Sequence, residues 1–287
     1  MEKRQHLLLV AFLGLACLGT ASSGVAQEEE EQELGITNST ELSLVVTDGN
    51  SNVETLGFKN TFRNHWEKAR YSLRLEAVRS NTGDDRFAIG SPDDFVVVVP
   101  EKTLDVENYL IDNRYDRQIT ERFFWNVGLS WDRNKDAGIL NRYVGFAGVG
   151  NIWWDRDDLK FNTSYGLSHT DREEEDPDPE KDDRFAGFRF SWQYLNQWGK
   201  NTTYENDWMF NTNFSDPNDW TSNMTNSVAV SINSRLALKV SLQWLFNNFP
   251  ALEEIDLFDE QGNEIGTVRA RKEKLDTIFS TSLVINF

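Results

Sequence analysis

The stretch Lys274 to Phe287, K-L-D-T-I-F-S-T-S-L-V-I-N-F, decides the fold. Counting back by twos from its end gives Phe287, Ile285, Leu283, Thr281, Phe279, Thr277 and Leu275, an apolar face broken by two threonines. The opposite set, Asn286, Val284, Ser282, Ser280, Ile278 and Asp276, is mostly small or polar. Side chains that change character with period two belong to a β-strand whose two faces meet different surroundings. Two readings fit the segment taken alone: a strand of a soluble sandwich, or the closing strand of a barrel with lipid outside and a polar lumen within.

The rest of the chain separates them. From residue 35 onward it divides into twelve alternating segments punctuated by turn residues. Phe123, Trp125, Val127, Leu129 and Trp131 alternate with Phe124, Asn126, Gly128, Ser130 and Asp132, Phe124 being the one exception on the polar face. Leu159, Phe161, Thr163, Tyr165 and Leu167 oppose Lys160, Asn162, Ser164 and Gly166, and Leu236 to Phe246 repeats the pattern. Asn226 interrupts the apolar face of the segment at 219 to 232, and the Gly-rich segment at 141 to 153 leaves its facing open. A strand of about ten residues, at about 3.3 Å per residue and tilted by about 40°, rises about 25 Å, the height of a lipid-facing band. The connections also sort: 81 to 103, 171 to 182 and 248 to 273 are long and fall on one side, whereas Trp66-Glu67-Lys68, Ile119-Thr120-Glu121, Asp155 to Asp158, Trp198-Gly199-Lys200 and Asn233-Ser234-Arg235 are short and fall on the other. That is the loop pattern of an outer-membrane barrel. A soluble sandwich gives no reason for Trp, Tyr and Phe to gather on the apolar face near strand ends. The fold expected is all-β, a single antiparallel up-and-down transmembrane barrel of about twelve strands.

Composition agrees. The 287 residues are 39% hydrophobic with a mean hydropathy of −0.57, too polar for a bundle of membrane helices. A barrel spends only alternate residues on lipid. The ten Trp and nineteen Phe suit aromatic girdles at the two membrane interfaces. Residues 1–26 read as a signal peptide, with Lys3 and Arg4, an apolar run Leu7 to Leu18, and Gly24-Val25-Ala26 before the cut. The run is too short to span a bilayer. Cys17, the one cysteine, lies within it, and Gly14 lacks the apolar character that acylation of Cys17 requires, so a lipoprotein is disfavoured. Residues 27–34 form an acidic flexible tail and 35–287 the barrel. The net charge of −18 becomes −19 once the leader leaves with Glu2, Lys3 and Arg4, which excludes nucleic acid as a natural partner.

With the strands placed, the chain resembles the DUF481 family, typified by a salt-induced outer-membrane protein of enteric bacteria. The resemblance is carried by G-N-S-N-V-E-T at Gly49 to Thr55, G-L-S-W-D-R-N-K-D at Gly128 to Asp136, the Gly145 to Gly150 strand and the closing L-D-T-I-F-S-T-S-L-V-I-N-F. It implies an outer-membrane location and a link to salt or envelope stress, and it brings no catalytic or ligand residues with it.

The polar faces direct a mixed-sign set inward: Lys59, Arg63, Arg74, Glu76, Asp112, Arg114, Asp116, Lys160, Arg189, Lys239 and Asp276. A ring of one sign would point to an ion-selective path, whereas mixed signs pair and narrow the lumen. No enzyme and no cofactor are expected. His169 and Ser168 are adjacent on a strand and face opposite ways, so they cannot form a nucleophile and base pair. The acids from Asp171 to Asp183 and from Glu253 to Glu264 lack calcium-loop spacing and read mainly as solvated loop surface, with weak divalent-cation binding the alternative. Outer-membrane lipid is the expected partner, and Phe287 is the expected signal to the barrel assembly machinery. Three functions stand open: a structural or stress-related barrel with a narrow charged lumen, a small-solute channel, and a surface binding protein that uses the acidic loops.

Overall fold

The structure is a computed structural model and describes residues 34–48, 54–80, 87–92, 94–98 and 106–287. The leader, the acidic tail up to residue 33 and the turn at 49–53 lie outside the described residues. Sixteen strands follow in order: β1 (Gly35–Asp48), β2 (Glu54–Trp66), β3 (Ala69–Ser80), β4 (Phe87–Ser91), β5 (Asp94–Val98), β6 (Val106–Thr120), β7 (Phe123–Asn134), β8 (Ile139–Asp155), β9 (Leu159–Glu174), β10 (Arg184–Trp198), β11 (Thr202–Thr212), β12 (Trp220–Ser231), β13 (Leu236–Asn247), β14 (Leu252–Phe258), β15 (Glu264–Arg271) and β16 (Leu275–Asn286).

Twelve of them close a barrel in the order β1-β16-β13-β12-β11-β10-β9-β8-β7-β6-β3-β2, each antiparallel to its neighbours. The seam is β1 against β16, with Leu42 opposite Leu283 and Leu44 opposite Thr281. It is tied at the end by Phe287 N–H donating to the Asn38 carbonyl at 2.8 Å. Closure leaves no unpaired edge, so every barrel strand satisfies its backbone within the wall.

The two faces of this wall settle which medium each one meets. Leu129, Leu167 and Leu238 on the outside are 56%, 64% and 51% exposed, whereas Asn126, Ser164 and Ser282 on the inside are at most 7% exposed. A water-soluble sheet would bury the leucines. Here the apolar belt faces outward, the arrangement that only a hydrocarbon surround stabilises. Aromatic side chains fringe the belt. Near the ends joined by short turns lie Trp66, Tyr115 and Trp125, Trp154 against Phe161, and Trp198 stacked on Tyr204 at 5.3 Å. Near the ends joined by long loops Phe210, Trp220 and Phe246 touch in series. The interruption at Asn226 is satisfied within the outer face. Trp192 Nε1 donates to Asn206 Oδ1 at 2.6 Å, and Asn226 Oδ1 accepts from Asn206 Nδ2 and from the Tyr204 hydroxyl.

The Gly-rich strand has a specific role. Gly128 on β7 and Gly150 on β8 face the interior, and a β-carbon at either one would overlap a phenyl ring, of Phe146 and of Phe124 respectively, as well as a neighbouring carbonyl. Both rings therefore lie flat against the inner wall in niches that only glycine leaves open, which is why Phe124 breaks the polar face.

The long connections are not plain loops. The stretches 81 to 103 and 248 to 273, expected to be irregular, contain β4, β5, β14 and β15, which form a second sheet in the order β15-β14-β4-β5. β14 pairs in parallel with β4, Leu257 opposite Ala88. Ala88, Ile255, Leu257, Val268 and Ala270 form a buried core under it, with Phe95 and Val97 packed alongside. Each strand contributes only one or two core residues, too short a run for periodicity to reveal.

Candidate functional site

The barrel interior is the natural place for function, since in β-barrels of this size side chains decide whether anything can pass. Its charged residues pair across strands. Arg74 on β3 lies 3.5 Å from Glu76 and 3.4 Å from Asp112 on β6, and Lys59 on β2 shares Glu76 at 3.3 Å. Asp116 on β6 accepts from Arg114 at 2.7 Å and from Arg70 at 2.9 Å. Next along the wall, where Glu41 on β1 is the register partner of Lys59, Lys239 of β13 reaches over the small, buried Ser282 and Ser227 to Glu41 at 3.1 Å and Glu205 on β11 at 3.3 Å. Arg142 on β8 makes a forked pair with Asp132 on β7 at 3.0 and 2.9 Å. Truncating one member of such a pair where water is excluded costs about 3–5 kcal/mol, because the other charge is left uncompensated.

One contact crosses the lumen. Arg70 Nη2 donates both to Asp116 and, at 3.3 Å, to Gln193 Oε1 on β10. β3 and β10 stand five places apart one way round the wall and seven the other, so this bridge spans close to the full diameter. The interior is not filled, however. The side chains of Lys59, Arg74 and Glu76 keep about 30% of their surface open.

Of the inward set read from the sequence, Lys59, Arg74, Glu76, Asp112, Arg114, Asp116 and Lys239 meet in these pairs. Arg189 lies on the ring of Phe146, its guanidinium carbon 4.0 Å from the ring centroid. Arg63 and Lys160 sit toward the short-turn mouth, and Asp276 at the opposite rim, near the start of β16. Glu41, Arg70, Arg142, Glu205 and Asp207 also line it and were not singled out in the sequence, and Asp132 was placed on the polar face there without being named among the inward charges. Glu205 and Asp207 alternate with Tyr204 and Trp208, so period two could have found them; Arg142 was hidden by the uncertain facing of its Gly-rich strand. His169 is on the exposed outer face and Ser168 is buried inside, so the two point apart.

The long-loop mouth is roofed. Gly138, in the turn between β7 and β8, sits against Ala251 and Lys272 at the base of the β14–β15 hairpin. Asp176, in the β9–β10 loop, bridges to Leu252 and accepts from the Glu254 N–H at 2.8 Å. The hairpin springs from β13 and β16, which stand five or six places round the wall from β7 and β8, so its base crosses the mouth to make these contacts. Arg271 clamps it there, donating to Asp178 Oδ2 at 2.7 Å, the Pro250 carbonyl at 3.0 Å and Glu180 at 3.2 Å while resting 4.0 Å over the ring of Phe249. Lys181 pairs with Glu174 and sits over the same ring. Beneath them Arg172 forks onto Asp219 at 3.1 and 2.9 Å.

The acids of this loop are therefore not merely solvated. Asp178 and Glu174 have side chains only 1% and 7% exposed. Burial by itself would raise the Asp178 carboxyl, but the Glu180 backbone N–H and the Arg271 guanidinium outweigh it and hold the group below the usual carboxylate range. Burial pushes the Lys181 ammonium below the usual lysine range, with Glu174 opposing. Glu175, Asp182, Asp183, Glu260 and Glu264 stay exposed. Among the described residues no three acids or histidines come together as metal ligands would.

No curated protein matches the sequence. Among solved structures the chain is similar to the NanC porin at 10% identity and a TM-score of 0.51, with 86% of this chain and 98% of that one covered. Lower scores relate it to the KdgM porin in complex with disordered oligogalacturonate (9% identity, TM-score 0.45, 87% and 99% covered) and to an anion-selective porin from Comamonas acidovorans (10% identity, TM-score 0.39, 89% and 99% covered). The first of these shares the barrel fold seen here. A family profile described as a protein of unknown function, DUF481, matches residues 40–260, which takes in every barrel strand but the last, and the chain therefore belongs to the DUF481 family.

Proposed function

We propose that this chain is a non-enzymatic barrel of the bacterial outer membrane that works as a narrow small-solute channel, its lumen braced by mixed-sign ion pairs and its external mouth roofed by its own second sheet. The observation that carries the reading is the Arg70 to Gln193 bridge across an interior in which Lys59, Arg74 and Glu76 remain partly open. Twelve strands fall between the roughly eight whose interior is filled and the 16 to 18 that leave a wide aqueous pore. A bridged but unfilled lumen of this width passes small solutes slowly. The shared fold with a protein titled a porin supports a channel in this role.

Lipid then meets the apolar belt, and the exposed Phe287 beside the seam is presented to the assembly machinery. Divalent cations act on the exposed acids Glu175, Asp182 and Asp183 by screening rather than at a built site. Purified barrel in planar bilayers should show current steps well below those of wide porins. Porin-sized steps, or a bilayer that stays silent after verified insertion, would contradict the reading.

A further inference from the structure

Arg189 is set apart from the other interior cations. Its cross-strand neighbours are Gly166 on β9 and Asn211 on β11, and among the described residues no carboxylate pairs with it. Its guanidinium carbon instead lies over the Phe146 ring, 4.0 Å from the centroid. The Phe146 ring occupies the niche at Gly128, and Gly128 is the direct register partner of Arg114. Arg114 itself stands 6.0 Å over the Phe124 ring, which fills the niche at Gly150. Two guanidiniums are thus carried on two phenyl rings along one stretch of inner wall. Arg114 uses its Nε on Asp116, while its Nη2 is buried with no acceptor.

The charges of this wall do not balance. On the arc from β2 round to β10, Lys59, Arg63, Arg70, Arg74, Arg114, Arg142, Lys160 and Arg189 face Glu76, Asp112, Asp116 and Asp132, eight cations against four carboxylates. Arg189 feels Arg74, Arg114 and Arg142 as electrostatic neighbours, with Asp112 the principal acid. Neither cross-strand neighbour supplies a counter-charge: Asn211 is neutral, and Gly166 has no room for a side chain, since a β-carbon there would meet the Ala147 backbone carbonyl.

We propose that Arg189 is a binding station for a small carboxylate anion travelling through the lumen, with the buried, unpartnered Nη2 of Arg114 adding to the positive potential of the same wall. A guanidinium offers paired N–H donors in a fixed plane, which match the two oxygens of a carboxylate. Contact with the Phe146 ring holds the group and leaves its N–H donors free for the anion. The station rests on the channel reading for its solute traffic and gives that channel a sign: anions pass in preference to cations, although the chain as a whole is acidic.

Two measurements on the full-length barrel test this. In planar bilayers under a potassium chloride gradient, the unmodified protein should favour chloride. Arg189→Gln should lower the chloride to potassium permeability ratio at least about threefold. Arg184→Gln, which removes an equal charge from an exposed pair with Asp171 on the outer face, should leave the ratio unchanged. In detergent, sodium malonate compared with sodium chloride at equal ionic strength should raise the melting temperature of the unmodified barrel and not that of Arg189→Gln. A cation-preferring barrel, or one in which Arg189→Gln alters neither the ratio nor the malonate response, overturns the station while leaving a channel. A malonate response without any current overturns the channel and leaves the station. If Arg189→Gln fails to insert, Arg189→Lys keeps the charge and loses the planar fork; an undiminished malonate response in that variant also overturns the station.

Discussion

Replacing Arg271 by alanine should release the roof while the barrel stays folded. In the closed form Arg271 neutralises Asp178, whose side chain is 1% exposed, and removing one partner of a buried pair costs about 3–5 kcal/mol. Arg271 itself is 32% exposed, so the lower end of that range applies to it. The Phe249 contact adds about 0.5–1 kcal/mol, and Glu180, at 75% exposure, adds almost nothing. Taking about 3 kcal/mol as the lower bound of that sum, the open to closed ratio rises at least about a hundredfold. Hydrogen exchange reads this directly. Amides of β14 and β15 should lose at least about a hundredfold in protection while those of β9 and β10 keep theirs, because the roof has its own small core and can open as a unit. Conductance should rise in parallel, and Glu180→Ala should resemble the unmodified protein. The acid dependence has a fixed sign. Asp178 is held below its unfolded value, so its contribution is fully present above that value, about pH 4, and is lost as pH falls through the lower folded value. Unaltered protection in Arg271→Ala would refute the clamp. Equal loss of protection in β9, β10, β14 and β15 would show that the sheet supports the barrel and does not open apart from it.

Other consequences are open to test. Gly150→Ala should cost about 1–3 kcal/mol in urea unfolding, because the new methyl meets both the Phe124 ring and the Thr163 carbonyl, whereas Gly145→Ala, with open space around it, should be close to neutral; equal effects would remove the niche argument. Arg70→Gln breaks the cross-lumen bridge and should widen the current step, with a smaller stability change than Arg114→Ala produces, since the Arg114 side chain is 11% exposed against 32% for Arg70; an unchanged step would mean that the constriction lies elsewhere. Deleting Phe287 should reduce assembly into the outer membrane far more than Phe279→Ala, and matching effects would make it one more lipid-facing ring.

The wall of the barrel was legible in the sequence because lipid and lumen impose opposite demands on alternate residues. Leu236 to Phe246 shows this up to Leu245, which breaks the polar face only near the strand end, and a two-periodic pattern survives wherever both media are present. Three features lay outside that logic. Phe124 contradicts the pattern because its ring fills a space left by Gly150 on the next strand, and one segment's periodicity cannot report a vacancy on another. The second sheet depends on β14 pairing with β4, Leu257 opposite Ala88 some 169 residues away, each strand offering only a few apolar residues such as Ile255 and Leu257. Asp178 reads as one acid in a charged run, and only the return of the chain at Arg271 makes it a buried partner. The inward charges were visible as a class, but their pairing was not: Lys239 and Glu41 are 198 residues apart and meet through a strand that lies between them.

The central claim is that lipid surrounds the barrel and water enters it, and spin labels along β13 test it most directly. The one natural cysteine, Cys17, falls in the expected leader, so single cysteines at Ala237, Leu238, Val240, Ser241, Leu242 and Gln243 can be labelled cleanly in the mature chain. In lipid vesicles, collision with oxygen, which concentrates in hydrocarbon, should be high at Leu238, Val240 and Leu242. Collision with a water-soluble nickel complex should be high at Ala237, Ser241 and Gln243, giving two period-two waves in opposite phase. Uniform access to the nickel complex on both faces would show that the apolar belt is not in a membrane, and exclusion of the complex from the inner face would show that the lumen is closed to water.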